Sequence, residues 1–98
     1  MNTTLMERIR DRKNQPRGIL MARKINDETV GIGWALCKKT DHFDVEMGKK
    51  IAFGRSRIPN ISSVPSSIRK NYALFCQRAI RYFKGQQIIG LNLFENNF

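Results

Sequence analysis

The stretch VGIGWALC, residues 30–37, most constrains what this chain can fold into. Side chains alternate across a β-strand, so Val30, Ile32, Trp34 and Leu36 share one face while Gly31, Gly33, Ala35 and Cys37 share the other. One face is bulky and the other is nearly bare. A bare face lets another element come close to the backbone, and a packed helix is its expected occupant. A Gly-x-Gly also invites a dinucleotide-loop reading, but the third glycine is missing and the following helix begins too late for one. Residues 18–25 form a second aliphatic run, and Asn26, Asp27 and Glu28 supply turn chemistry between the two. Together they read as a β-hairpin.

Two helices are predicted beyond it. Asp41 is placed as an N-cap, Asp44 and Glu46 oppose the helix dipole, and Phe43, Met47 and Ile51 recur at four-residue spacing with Ala52 alongside. That pattern is an amphipathic helix ending near Gly54. The segment RSRIPNISS, residues 55–63, reads as a loop. Pro65 suits a first helical turn, so the second helix is expected over residues 65–84 with a stop at Gly85.

Before the hairpin, residues 3–14 set Leu5, Met6 and Ile9 among Arg8, Arg10, Arg12 and Lys13, a spacing that suits a short helix ended by Pro16. Residues 1–17 are therefore expected as a loosely attached N-terminal helix on a single domain covering 1–98. Residues 86–94, QQIIGLNLF, suit a last strand. The predicted class is α+β, a β-hairpin packed against two helices, with the N-terminal helix and a third strand at the C-terminus. A helix-turn-helix is the rival, but about ten residues between the central helices exceed the three or four that motif needs.

Charge narrows the partners. Eighteen Lys and Arg stand against eight Asp and Glu, a formal net charge of +10. That balance favours an acidic partner, nucleic acid above all. Between Glu46 and Glu95 no acidic residue occurs, yet the interval holds Lys49, Lys50, Arg55, Arg57, Arg69, Lys70, Arg78, Arg81 and Lys84. On the second helix Ile68, Tyr72, Phe75, Cys76, Ala79, Tyr82 and Phe83 fall on one side, opposite Arg69, Lys70, Arg78, Arg81 and Lys84. An ordinary solvated face usually mixes signs, so this one is read as nucleic-acid-binding, joined by Lys49, Lys50, Arg55 and Arg57. Ser62, Ser63, Ser66 and Ser67, with Arg55 and Arg57 nearby, are placed to cradle one phosphate or simply to cap the helix.

Other classes find less support. His42 beside Asp41 and Asp44 has no second histidine or nearby cysteine to complete a site, so no enzyme, metal or other cofactor is expected. Cys37 and Cys76 are read as buried small hydrophobes. No apolar run approaches the roughly 20 residues of a membrane span. The N-terminus MNTTLMERIRDRKN lacks a signal-peptide core, and a reducing cytoplasm is expected. With 41% hydrophobic residues the chain can build a core, but a modest one. A homodimer is one way to cover the remaining apolar surface, and folding of helix and tail over the chain's own core is the other.

The stretch KKTDHFDVEMGKKIAFGR, residues 38–55, following VGIGWALC, resembles a pattern of small bacteriophage accessory proteins made for host takeover. The resemblance covers about a third of the chain and assigns no site residue. It implies action in the host cytoplasm, often by stoichiometric binding. Two functions follow as expectations: nucleic-acid binding through the basic helix face, or inhibition of a host nucleic-acid enzyme or defence system through an acidic host protein surface.

Overall fold

A computed structural model describes residues 4–37, 43–57, 64–84 and 86–88. In chain order they form β1 (Thr4–Arg10), β2 (Pro16–Lys24), β3 (Thr29–Leu36), α1 (Val45–Arg57), a 3-10 turn (Ser66–Ile68) that runs directly into α2 (Arg69–Tyr82), and β4 (Gln87–Ile88). The sheet order is β1-β2-β3-β4. The first three strands are antiparallel neighbours and β4 lies parallel to β3. The architecture is α+β, with the predicted hairpin at its centre as β2 and β3.

Alternation along the strands sends two sets of side chains to opposite faces. Leu5, Ile9, Leu20, Ala22, Val30 and Ile32 join Ile68, Tyr72, Phe75, Cys76, Ala79 and Phe83 in one core, so α2 covers that face. Ile19, Met21 and Ala35 join Ala52, so α1 covers the other. The expected docking of a helix on the bare face of β3 is realised. A Cβ on Gly33 would overlap the carbonyl oxygen of Ala52, and one on Gly31 the carbonyl oxygen of Ser56. Only glycine lets α1 lie this close.

That proximity reverses the predicted orientation of α1. Met47 and Ile51, expected in the core, are 54% and 39% exposed, and the helix instead buries Gly48, Ala52 and Ser56. A surface of glycines and alanine has no groove for long side chains, so the close contact goes to small ones. Phe43 does pack against the α1 core, as predicted. The helix also continues past Gly54 to Arg57, so Arg55 and Arg57 are helical rather than in a loop. Ser56 is held in its last turn, donating to Phe53 O at 2.6 Å and accepting from Arg23 Nε at 2.8 Å. Asp44 caps the start, its Oδ1 accepting from the amides of Glu46 and Met47. Asp41 and His42 lie outside the described residues.

The predicted N-terminal helix is a strand. Leu5 and Ile9 are four apart, a spacing that serves one face of a helix and one face of a strand alike. Met6 decides between them: it packs on the α1 side while Leu5 and Ile9 are buried on the α2 side. Segment 4–10 is thus paired to β2 from Thr4↔Arg23 to Arg10↔Pro16 rather than loosely attached. At Asp11–Asn14 the chain turns, with Asn14 at φ 63°, a conformation asparagine tolerates. Of the predicted last strand the described part is β4, and the remainder of 86–94 lies outside the described residues.

Candidate functional site

The outer face of α2 carries the predicted cations. Arg69, Lys70, Arg78, Arg81 and Lys84 are all exposed, and the helix itself contains no acidic residue. Arg78 Nη1 lies 3.6 Å from Glu7 Oε1 on β1, an exposed pair worth at most about 1 kcal/mol. Arg69 Nε donates to Val64 O at 3.4 Å. Lys70, Arg81 and Lys84 form no ion pair among the described residues. Leu74, 57% exposed, stands one turn from both Lys70 and Arg78, with Ile80 and Tyr82 also uncovered.

The cations of α1 lie across the sheet from these. Lys49 Nζ is 3.6 Å from Glu46 Oε1, while Lys50 and Arg57 are exposed. Arg55 is engaged in packing. The hydrogen bonds Ile25 N to Thr29 O and Cys37 N to Arg17 O set the register of β2 and β3 so that the Trp34 carbonyl points away from β2. Arg55 reaches round this edge, donates from Nη1 to Trp34 O at 3.1 Å and lays its guanidinium 3.7 Å from the Trp34 ring centroid. Partial burial there lowers its pKa. Arg23 likewise covers Phe53 at 3.9 Å. The nine residues grouped by sequence therefore divide into an α2 set and an α1 set on opposite faces.

A third cationic cluster, not singled out in the sequence, surrounds the β1–β2 turn. Arg10, Arg12, Lys13 and Arg17 line an open cleft of about 840 Å³ at the end of the sheet, together with Asp11, Ser67, Ile9, Leu36 and Ile68. Its signal was present in the run Arg8 to Lys13, which the helix reading spread around a helix. The predicted serine cradle changes partners accordingly. Ser67 lines the cleft that holds these four cations, away from Arg55 and Arg57, and Ser62 and Ser63 lie outside the described residues.

The remaining candidates are structural. Gly31 and Gly33 are filled by the α1 backbone. Cys76 is buried in the α2 core, where desolvation pushes its thiol up to about 12, and Cys37 is a half-buried thiol. Burial, with the neighbouring Cys76, also raises the pKa of Tyr72. Among the described residues no group of three metal-ligating side chains occurs, and no helix is long and apolar enough to cross a membrane. In comparisons with known proteins the chain matches no family model, no curated protein and no solved structure.

Proposed function

We propose that this protein binds nucleic acid without catalysis, engaging phosphates through the outer face of α2. One observation carries the reading: four exposed cations project from a helix with no acid of its own, exposed Lys84 follows just beyond its end, and Glu7 supplies the one ion pair to them among the described residues. Such a face stores self-repulsion that a polyanion relieves, and displaced counterions favour the complex. Lys70, Arg81 and Lys84 are the principal contacts, with Arg78 available at the small cost of leaving Glu7. With the resemblance to phage accessory proteins, the proposed setting is a host cytoplasm.

Fluorescence anisotropy with a labelled DNA duplex tests it. The logarithm of affinity should fall against the logarithm of salt with a slope of about −0.9 per phosphate neutralised, and Arg81→Glu should reduce that slope by about one. A flat salt response overturns the reading. The exposed Leu74, Ile80 and Tyr82 favour a second one, in which the same face docks on an acidic host protein. Leu74→Ser separates the two, since phosphate binding tolerates it and a protein interface centred on Leu74 does not.

A further inference from the structure

We propose that the cleft at the end of the sheet is a separate site for a nucleotide phosphate, held by Arg10, Arg12, Lys13 and Arg17. Its volume of about 840 Å³ falls within the range of small-ligand sites. Its charge is one-sided. The single lining carboxylate, Asp11, is used by the turn, its Oδ1 accepting from the amides of Lys13 and Gln15 at 2.9 Å each. None of the four cations has an ion-pair partner among the described residues, whereas Arg78 and Lys49 elsewhere do.

Two of the four are already positioned. Arg10 Nη1 donates to Asn14 O at 3.1 Å, and Arg17 Nη2 donates to Cys37 O at 2.9 Å. Arg17 Nε is buried and has no acceptor among the described residues, so this guanidinium sits partly desolvated. A phosphate group, with several strong acceptor oxygens, matches such a cluster better than a single carboxylate does. Half-buried Leu36, with the edges of the buried Ile9 and Ile68, adds apolar lining for a base or sugar, which inorganic phosphate would not use. The ligand chemistry is therefore a phosphate ester carrying a nucleoside, supplied by a free nucleotide or by the phosphorylated end of a strand.

This assignment is independent of the α2 reading, and its test keeps the two apart. Calorimetry is run on the full chain with adenosine triphosphate, and with a short oligonucleotide carrying or lacking a 5′-phosphate. The oligonucleotide arms use an Arg81→Glu/Lys84→Glu background that removes α2 contacts. The expected result is that adenosine triphosphate, the 5′-phosphorylated oligonucleotide, or both bind, the pattern naming the source. Arg12→Glu/Lys13→Glu, at exposed turn positions, should weaken that binding at least about tenfold, in the oligonucleotide arms when added to the Arg81→Glu/Lys84→Glu background. Arg17→Gln provides a second variant, with circular dichroism confirming that it folds. The proposal is overturned if no phosphorylated probe binds, if the 5′-phosphate makes no difference and adenosine triphosphate does not bind, or if the turn variant binds as well as the parent.

Discussion

The two faces of the sheet are packed by opposite means, although β3 contributes to both with alternate residues of one short segment. On the α2 side Val30 and Ile32 share one core with Tyr72, Phe75 and Phe83, and cohesion comes from large side chains. On the α1 side Gly31 and Gly33 meet the backbone at Ala52 and Ser56, and cohesion comes from proximity. Side chains supply the area on one face, while their absence supplies the fit on the other. The first face should therefore suffer from losing atoms and the second from gaining them.

Phe75→Ala should give the largest effect. Phe75 is fully buried at the centre of the α2 core, and truncation should cost about 3–5 kcal/mol, a large share of the stability of a domain this size. Urea unfolding followed by circular dichroism reads the loss. Retention of the parent midpoint would show that the α2 face does not depend on large side chains.

Gly33→Ala adds one methyl group on the other face and should cost about 1–3 kcal/mol. Its obstacle is the carbonyl oxygen of Ala52 rather than the Ala52 side chain. Ala52→Gly should therefore not rescue it, and the double variant should be no more stable than Gly33→Ala alone. Rescue would mean that side-chain bulk, not backbone contact, sets the distance of α1.

Alkaline pH should act on the α2 face with the smallest effect of the three. The folded state holds the Cys76 thiol protonated up to about 12, against an ordinary value of 9.0, so it binds more protons than the unfolded chain between those values. The stabilisation is complete below about pH 9 and is lost as pH rises towards 12. Between pH 8 and pH 10 the loss should be about 1 kcal/mol, and Cys76→Ala should flatten that dependence. A residual slope in that variant belongs to Tyr72, whose hydroxyl is raised by the same burial.

How legible the candidate sites were differs from element to element. The outer face of α2 follows from helical periodicity, because Ile68, Tyr72, Phe75, Cys76, Ala79 and Phe83 fill the buried side and the basic residues have only the other. Tyr82 departs from the pattern: it sits at the margin of the buried arc and is exposed, its ring edge-on to Phe83 at 4.8 Å. The cleft was hidden because Arg10, Arg12, Lys13 and Arg17 come together only when β1 folds back on β2. Arg55 looked like any other cation until the edge of β3 turned away from β2 gave it Trp34 to cover.

By itself the sequence determined what depends on a single period. The two-faced strand at 30–37, the hairpin around Asn26 to Glu28, the amphipathic α2 and the one-signed charge of the second half all follow from spacing and residue type. Tertiary structure decided what depends on the shape of a partner. Segment 4–10 became a strand because β2 offered it a hydrogen-bonding edge, a choice that the four-residue spacing of Leu5 and Ile9 leaves open. The orientation of α1 was settled in the same way, since the bare surface of Gly31 and Gly33 selects the small side of the helix over its apolar one. Hydrophobicity alone gave the opposite answer for α1, because burial follows what can fit as well as what avoids water.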